Sequence, residues 1–198
     1  MKKISLLAML VAGMWATPVS AASSTYVSGS VGVGSLTNSN LNIGGVTVND
    51  VIEYKTGVPF GGAVGMKNDS YRVEAAIGYQ SHDVSKVVGI PVTGLSVSAL
   101  TYLANGYYDF ETKGSALAPY LTVGLGGATI GSSDGVTTDH NTVFAWQAGA
   151  GLGLKAGDNL TVDFGYRFLK PSNVSTGVLG SDVTVASHNF LAGVRYNF

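Results

Sequence analysis

The chain has 198 residues, of which 28 are glycine and none is cysteine, and 11 basic and 12 acidic residues give a formal net charge of −1. The lack of cysteine excludes a disulfide framework and any thiol-based catalysis or metal binding. Because basic residues are few and do not cluster, the sequence also argues against nucleic-acid binding.

The first segment predicts export. Lys2 and Lys3 precede an apolar run over 4–15, and small residues follow Pro18. This is the pattern of a cleaved secretory signal, and the run is shorter than the ~20 apolar residues of a membrane-spanning helix. We therefore expect residues 1–21 to be a signal peptide and residues 22–198 to form a single domain.

The rest of the chain predicts β-strands in which apolar and polar residues alternate with a period of two. Each is close to the ~9–11 residues that a tilted transmembrane strand requires. The strands are placed at 24–36, 58–67, 70–81, 97–110, 118–130, 142–154, 160–170 and 185–198. Because no run of ~18 apolar residues follows the signal, a membrane location would require a closed barrel, which satisfies every backbone polar group.

The connections between these strands alternate in length. Short turns are expected at 68–69, 111–117 and 155–159, and long segments at 37–57, 82–96, 131–141 and 171–184. Outer-membrane barrels have short periplasmic turns and longer external loops. The sequence therefore predicts an all-β, eight-stranded, antiparallel, up-and-down transmembrane barrel with its long loops outside.

Six charged residues share the polar faces of the predicted strands and are assigned to the barrel interior. They are Arg72, Glu74, Asp109, Asp163, Arg167 and Arg195. Because buried charge is costly unless paired, we expect this balanced set to form a network, with Arg167 paired to Asp163 or Glu74.

Five glycines of two adjacent strands share the inward parity of these charges. They are Gly124, Gly126, Gly149, Gly151 and Gly153. They predict room for long side chains that cross the lumen, such as Arg72, Glu74 and Arg167, although the same space would also suit a narrow water path.

Aromatic residues on the apolar faces concentrate near the strand ends. Those included are Tyr71, Tyr79, Tyr108, Phe110, Trp146 and Phe168. This distribution predicts two girdles at the membrane interfaces, where rings are partly buried and their polar edges stay wet. A soluble sandwich core is the alternative interpretation of the same rings.

The final segment 188–198, HNFLAGVRYNF, carries its apolar residues on one face. These include Phe190, Val194, Tyr196 and Phe198. Together with YRVE at 71–74, NGYYDF at 105–110 and TVDFGYRF at 161–168, it resembles the small eight-stranded bacterial outer-membrane barrels. That group includes the OmpA transmembrane domain, OmpX, the neisserial opacity proteins and the Msp-type surface antigens. The resemblance implies a location in the outer membrane and recognition of the final strand by the barrel-assembly machinery.

No catalytic or metal-binding pattern accompanies these strands. His82, His140 and His188 fall in or near the predicted outer loops without the spacing of a zinc site, and we expect them to be solvated. Ser187 and His188 are adjacent and therefore lie on opposite faces of a strand. We predict no enzyme, no metal and no cofactor.

These observations favour a structural and surface-display role. The outer loops would contact lipopolysaccharide, host cells or other surface ligands, and the wall would contact membrane lipid. Segment 37–57, with Val46, Val48, Val51 and Ile52, is the best candidate for partner contact, although a solvated polar loop explains it equally well. A narrow pore and a lipid-modifying enzyme remain the alternatives.

Overall fold

The computed structural model describes residues 23–37, 39–43, 46–87, 89–111, 114–133, 138–172, 174–176, 181–183 and 186–198. The predicted signal peptide, residues 1–21, lies outside this part of the chain. Among the described residues, no helix is both long enough and apolar enough to cross a membrane.

Eight of the described strands form a closed antiparallel wall, so the predicted fold is confirmed. They are β1 (Ser24–Leu36), β2 (Phe60–Asn68), β3 (Tyr71–Val87), β4 (Ser96–Asp109), β5 (Leu117–Ser133), β6 (Thr138–Lys155), β7 (Leu160–Pro171) and β8 (Ser187–Asn197). Each strand pairs with the next in sequence, and β1 closes the barrel by pairing with β8 from Tyr26 opposite Asn197 to Leu36 opposite Ser187.

The alternation of apolar and polar residues corresponds to the outward and inward faces of the strands. On β5, the outward Val123 is 66% exposed and its inward neighbour Thr122 only 3%. Large apolar side chains cover the outside, while the most buried side chains inside include arginine, glutamate, asparagine and threonine. This is the reverse of a soluble protein and matches a wall that faces hydrocarbon.

At one end of the barrel, short turns connect the strands. Asn68 pairs with Tyr71, so only Asp69 and Ser70 join β2 to β3. Asp69 has a positive φ of 48°, which aspartate tolerates and which a two-residue hairpin turn requires. The start of β1 and the end of β8 meet at the same end, where the Phe198 amide donates to the Thr25 carbonyl at 2.9 Å.

At the other end, much of what we predicted as loop is strand. β3 continues to Val87 and β6 begins at Thr138, so these strands, with 17 and 18 residues, extend beyond the membrane. The predicted loop 37–57 contains a hairpin of Ser39–Ile43 and Val46–Tyr54, and its second strand pairs with β3. The loop predictions for 37–57, 82–96 and 131–141 were therefore wrong in part, because backbone pairing extends past the apolar stretch that marked the strand ends. The smaller strands Ile90–Pro91, Val174–Thr176 and Ser181–Val183 lie at this same outer end.

Inward glycines allow bulky side chains to lie flat against the wall. A Cβ atom on Gly151 would overlap both the ring of Tyr120 and the Phe164 carbonyl, and one on Gly65 would overlap the ring of Tyr26. On Gly106, whose side faces outward, a Cβ atom would meet nothing within 4 Å.

These surroundings give opposite expectations for two glycine-to-alanine changes. We expect Gly151→Ala to lower the free energy of unfolding by about 1–3 kcal/mol, because Tyr120 must move. Gly106→Ala should leave stability unchanged or raise it by up to about 1 kcal/mol, since glycine is unfavourable within a strand. Urea unfolding in lipid vesicles measures both, and equal effects would contradict the packing described.

Candidate functional site

The interior polar cluster begins with a buried ion pair near the turn end. The Arg72 guanidinium donates Nε to both Asp109 carboxylate oxygens at 3.0 and 2.9 Å, and Nη2 to Oδ1 at 2.8 Å. Both residues are almost fully buried, and β3 and β4 are adjacent strands. The pair is bidentate, so each group satisfies much of the hydrogen-bonding capacity of the other.

A second group of charges ties the short turns together. The Lys67 ammonium lies 3.3 Å from Asp109 and bonds to Glu111, and Lys155 lies 3.7 Å from the same Glu111 carboxylate. Burial opposes ionisation of Glu111, but the hydrogen bond and positive charge of Lys67 outweigh it and lower the pKa of that carboxyl. These ion pairs thus link three short turns at this end of the barrel.

Glu74 is stabilised by neutral donors instead of by an arginine. Its carboxylate accepts from the Tyr26 hydroxyl at 2.9 Å, the Asn105 amide at 3.0 Å and the Tyr107 hydroxyl at 2.5 Å. Tyr26 is fully buried, and the other two donors nearly so. Three strands therefore converge on one carboxylate.

The expected pairing of Arg167 with Asp163 or Glu74 was wrong. Among the described residues, no carboxylate oxygen lies within 4.0 Å of Arg167. Its guanidinium carbon lies 5.4 and 5.5 Å from the ring centres of Tyr107 and Tyr120, and Nη2 donates to the Tyr107 hydroxyl at 3.2 Å. Arg167 is held by aromatic rings, and its charge meets the acidic residues only at longer range.

Arg195 links Asp163, the remaining acidic residue, to Asp109. Its nearest nitrogens lie 3.4 Å from Asp163 and 3.9 Å from Asp109. The structure thus brings all six sequence-assigned charges into the interior, with Asp109 as the residue that most cations approach.

Sequence reasoning missed the tyrosines of this cluster. Tyr26, Tyr107 and Tyr120 are buried inside, and Tyr107 and Tyr120 pack edge to face at 5.7 Å. Tyr107 shares the parity of Asp109, which was a usable signal. Tyr26 and Tyr120 lie on glycine-rich strands whose faces the sequence defines poorly.

The inward glycines lie beside side chains other than those we expected in most cases. Gly149 does adjoin Arg167, but Gly124 faces Asn105 and Gln147, and Gly151 faces Tyr120. Gly126 faces Leu103, and Gly153 lies near Asp163 and Arg195. We had expected Arg72 and Glu74 there.

The aromatic residues assigned to the girdles form two sets of ring contacts on the outer surface. At the turn end, Tyr108 packs against both Tyr71 and Phe110, at 5.2 and 4.9 Å. Towards the opposite end, Trp146 packs against Phe168 at 5.6 Å, and Tyr79 against Phe60 at 5.5 Å.

The final strand presents its apolar side chains outward. Phe190, Val194, Tyr196 and Phe198 are each 46–70% exposed, while Arg195 is buried. The strand pairs with β1 and β7, so no strand edge remains open at the seam.

The histidines occupy three different environments. His82 is 2% exposed and points into the outer mouth, where Nδ1 donates to the Lys55 carbonyl at 3.1 Å, so a solvated His82 was a wrong expectation. His188 lies on the outer surface, 2.6 Å from the Tyr166 hydroxyl, whereas Ser187 points inward. His140 is exposed. Within the described residues, no three His, Cys, Asp or Glu side chains are arranged to hold a metal ion.

The outer hairpin was the candidate for partner contact. Its backbone is paired as given above, and Lys86 and Glu53 form an ion pair of 3.0 Å at its base. The side chains of Val46, Val48, Val51 and Ile52 lie outside the described part of the chain.

Comparison with known families and sequences gives consistent results. The family described as "Outer membrane protein beta-barrel domain" matches residues 4–198. Outer membrane protein PagN of Salmonella typhimurium is 25% identical over 93% of this chain and 94% of its own length. The 25 kDa outer-membrane immunogenic protein of Brucella melitensis is 32% identical over 82 residues, which cover 40% of this chain and 38% of that protein.

Two solved structures share the fold. Neisserial surface protein A superposes with a TM-score of 0.62 and 22% identity, over 90% of this chain and all of the other. OprG of Pseudomonas aeruginosa gives a TM-score of 0.58 with 13% identity, over 89% of this chain and 96% of that one.

The contrast between two interior arginines is testable. We expect Arg72→Ala to lower the free energy of unfolding by roughly 3–5 kcal/mol, because it breaks the buried bidentate ion pair and leaves the Asp109 carboxylate only the more distant charges of Lys67 and Arg195. Arg167→Ala should cost only about 1–2 kcal/mol, since it removes ring contacts and no ion pair. Urea unfolding of both variants in lipid vesicles makes the comparison, and equal losses would contradict the partners described here.

Proposed function

The chain belongs to the outer membrane protein beta-barrel family, and from that premise we propose that it displays its outer segments to partners outside the cell. It is a protein of the bacterial outer membrane. The observation that carries the proposal is the difference between the two ends of the barrel. One end has only short turns, while β3, β5 and β6 extend past the membrane at the other end, where β3 pairs with a further hairpin.

Support for display comes from the way in which the outer hairpin is attached. Ile52 and Glu53 pair with Val87 and Lys86, so the hairpin continues the barrel wall. The Lys86–Glu53 and Lys55–Asp83 ion pairs reinforce this junction. A framework of this kind holds a segment away from the bilayer, where it can meet a macromolecule.

We assign the partners by location. The exposed apolar wall contacts membrane lipid, and the outer segments contact lipopolysaccharide or the surface of another cell. The Brucella relatives are described as immunogenic, which agrees with exposure on the surface. Residues 1–21 act as the cleaved signal peptide, and residues 22–198 form the barrel domain. The barrel-assembly machinery recognises Tyr196 and Phe198.

Surface exposure of the long segments can be tested with inserted epitopes. A peptide epitope placed between Gly44 and Gly45 should bind its antibody on intact cells. The same epitope placed between Gly157 and Asp158, in a short turn, should bind only after the outer membrane is permeabilised. Flow cytometry measures both, and the opposite result would invert the orientation that display requires.

Partner contact can be tested by replacing the outer segments. In a non-adherent laboratory bacterium that expresses the protein, we expect replacement of 38–54 and 132–140 by short turns to abolish binding to cultured epithelial cells. The barrel should still fold, because the part of its wall that crosses the membrane pairs independently of these segments, and heat-modifiable gel migration checks this. Unchanged adhesion by a folded variant would remove the support for this role.

A narrow pore is the second candidate. Buried polar atoms inside the barrel, including Asp163 Oδ1 and Arg167 Nη1, have no hydrogen-bond partner, which favours internal water. Planar-bilayer recording of the refolded protein tests conduction, and the absence of discrete conductance steps would reject a pore.

A further inference from the structure

The lumen contains a cavity of about 160 Å³ above the charged cluster. An engineered cavity of roughly 150 Å³ in another protein binds benzene, so this space suits a molecule the size of one ring. The cavity exists because inward residues on β1 to β3 are small. They are Ser28, Ser30, Ala63, Ala76 and Gly78. The opposite wall supplies larger apolar groups, Leu103, Leu169 and Leu191.

The charged and aromatic cluster forms the floor of the cavity. Arg72, Tyr107, Tyr120 and Arg195 line it, and the pairs described above hold these side chains in place. The six charges of the cluster balance, so the floor offers no net attraction to an ion. A ligand in this cavity should therefore be uncharged.

The roof consists of neutral hydrogen bonds. Gln80 Nε2 and Asn189 Nδ2 both donate to Ser187 Oγ, at 3.2 and 3.1 Å. Gln80 lies on β3 and Ser187 on β8, which are separated by two strands, so this bridge crosses the lumen. Breaking two neutral bonds costs far less than separating the buried ion pairs below, which makes the outer mouth the route of entry.

Several side chains that line the cavity have unused hydrogen-bonding capacity. Asn189 is 6% exposed and its Oδ1 atom has no partner. Asp163 Oδ1, at the floor, is also buried and unpartnered. Both atoms accept hydrogen bonds, whereas Arg167 Nη1 and Arg195 Nε, on residues that also line the cavity, are unpartnered donors. A fitting ligand would therefore carry a group such as a hydroxyl, which donates a hydrogen bond and also accepts one.

We propose that the outer half of the lumen is a binding site for a small, uncharged, ring-sized molecule that carries one hydrogen-bond donor. The wall with Leu103, Leu169 and Leu191 contacts the apolar part of the ligand, and the donor group of the ligand bonds to Asn189. Entry through the outer mouth is sufficient for binding, so binding does not require transport. This goes beyond surface display, because the outer segments take no part in it.

The test uses 4-fluorophenol and fluorine NMR on the refolded full-length mature chain in phospholipid nanodiscs. We expect a saturable bound signal, distinct from partitioning into lipid. Ala76→Leu fills the cavity and should weaken binding roughly tenfold or more. Ala75→Leu is the matched control, because Ala75 lies on the outward face of the same strand, and it should bind like the parent protein.

Fluorobenzene has the same ring without the donor and should bind more weakly than 4-fluorophenol. If Ala76→Leu does not fold, Ala63→Leu takes its place, with Val64→Leu as its outward control. A signal that never saturates, or that both leucine variants of a pair reduce equally, would overturn the site. Equal binding of the two probes would overturn the role given to the acceptor.

Discussion

Hydrocarbon offers no partner for a backbone amide or a charge, and the rest of the structure follows from that constraint. Every strand must have a neighbour on both sides, so β8 returns to β1 and the sheet closes. Side chains are then divided between the lipid-facing and the lumen-facing side of the wall by their polarity alone. Val123 and Thr122, adjacent in sequence, lie at opposite extremes of exposure because one faces lipid and the other the lumen.

Because the sheet is closed, the charged side chains lie in the lumen, and ion pairs stabilise only some of them. Arg72 and Asp109 satisfy each other, but Glu74 depends on two tyrosines and an asparagine. Aromatic rings serve two purposes in this narrow tube. They fill volume, and their hydroxyls donate to the Glu74 carboxylate, which makes no ion pair with any of the described residues. Glycines on neighbouring strands make that filling possible, as Gly65 does for Tyr26.

The strands, their faces and their order could be predicted because a period of two is a local property of the sequence. The partners of individual charges could not. Arg167 and Asp163 lie on the same face of one strand, yet Arg167 turns towards Tyr107 and Tyr120, which come from β4 and β5 across the lumen. Such contacts depend on the stagger of the whole barrel, which no single segment encodes. Strand length at the outer end was underestimated for β3, since pairing there continues beyond residue 81 through polar residues such as His82 and Asp83.

The two ends of the barrel consequently tolerate change to different degrees. At the turn end, Lys67, Glu111 and Lys155 connect separate turns to each other and, through Asp109, to the buried cluster, so a change in one turn disturbs the interior. The outer hairpin, by contrast, joins the wall along one strand edge of β3, well away from that cluster. The sequence of the hairpin can therefore vary without altering the charged cluster inside the barrel. A surface that must meet different partners is best placed where the rest of the fold does not depend on it.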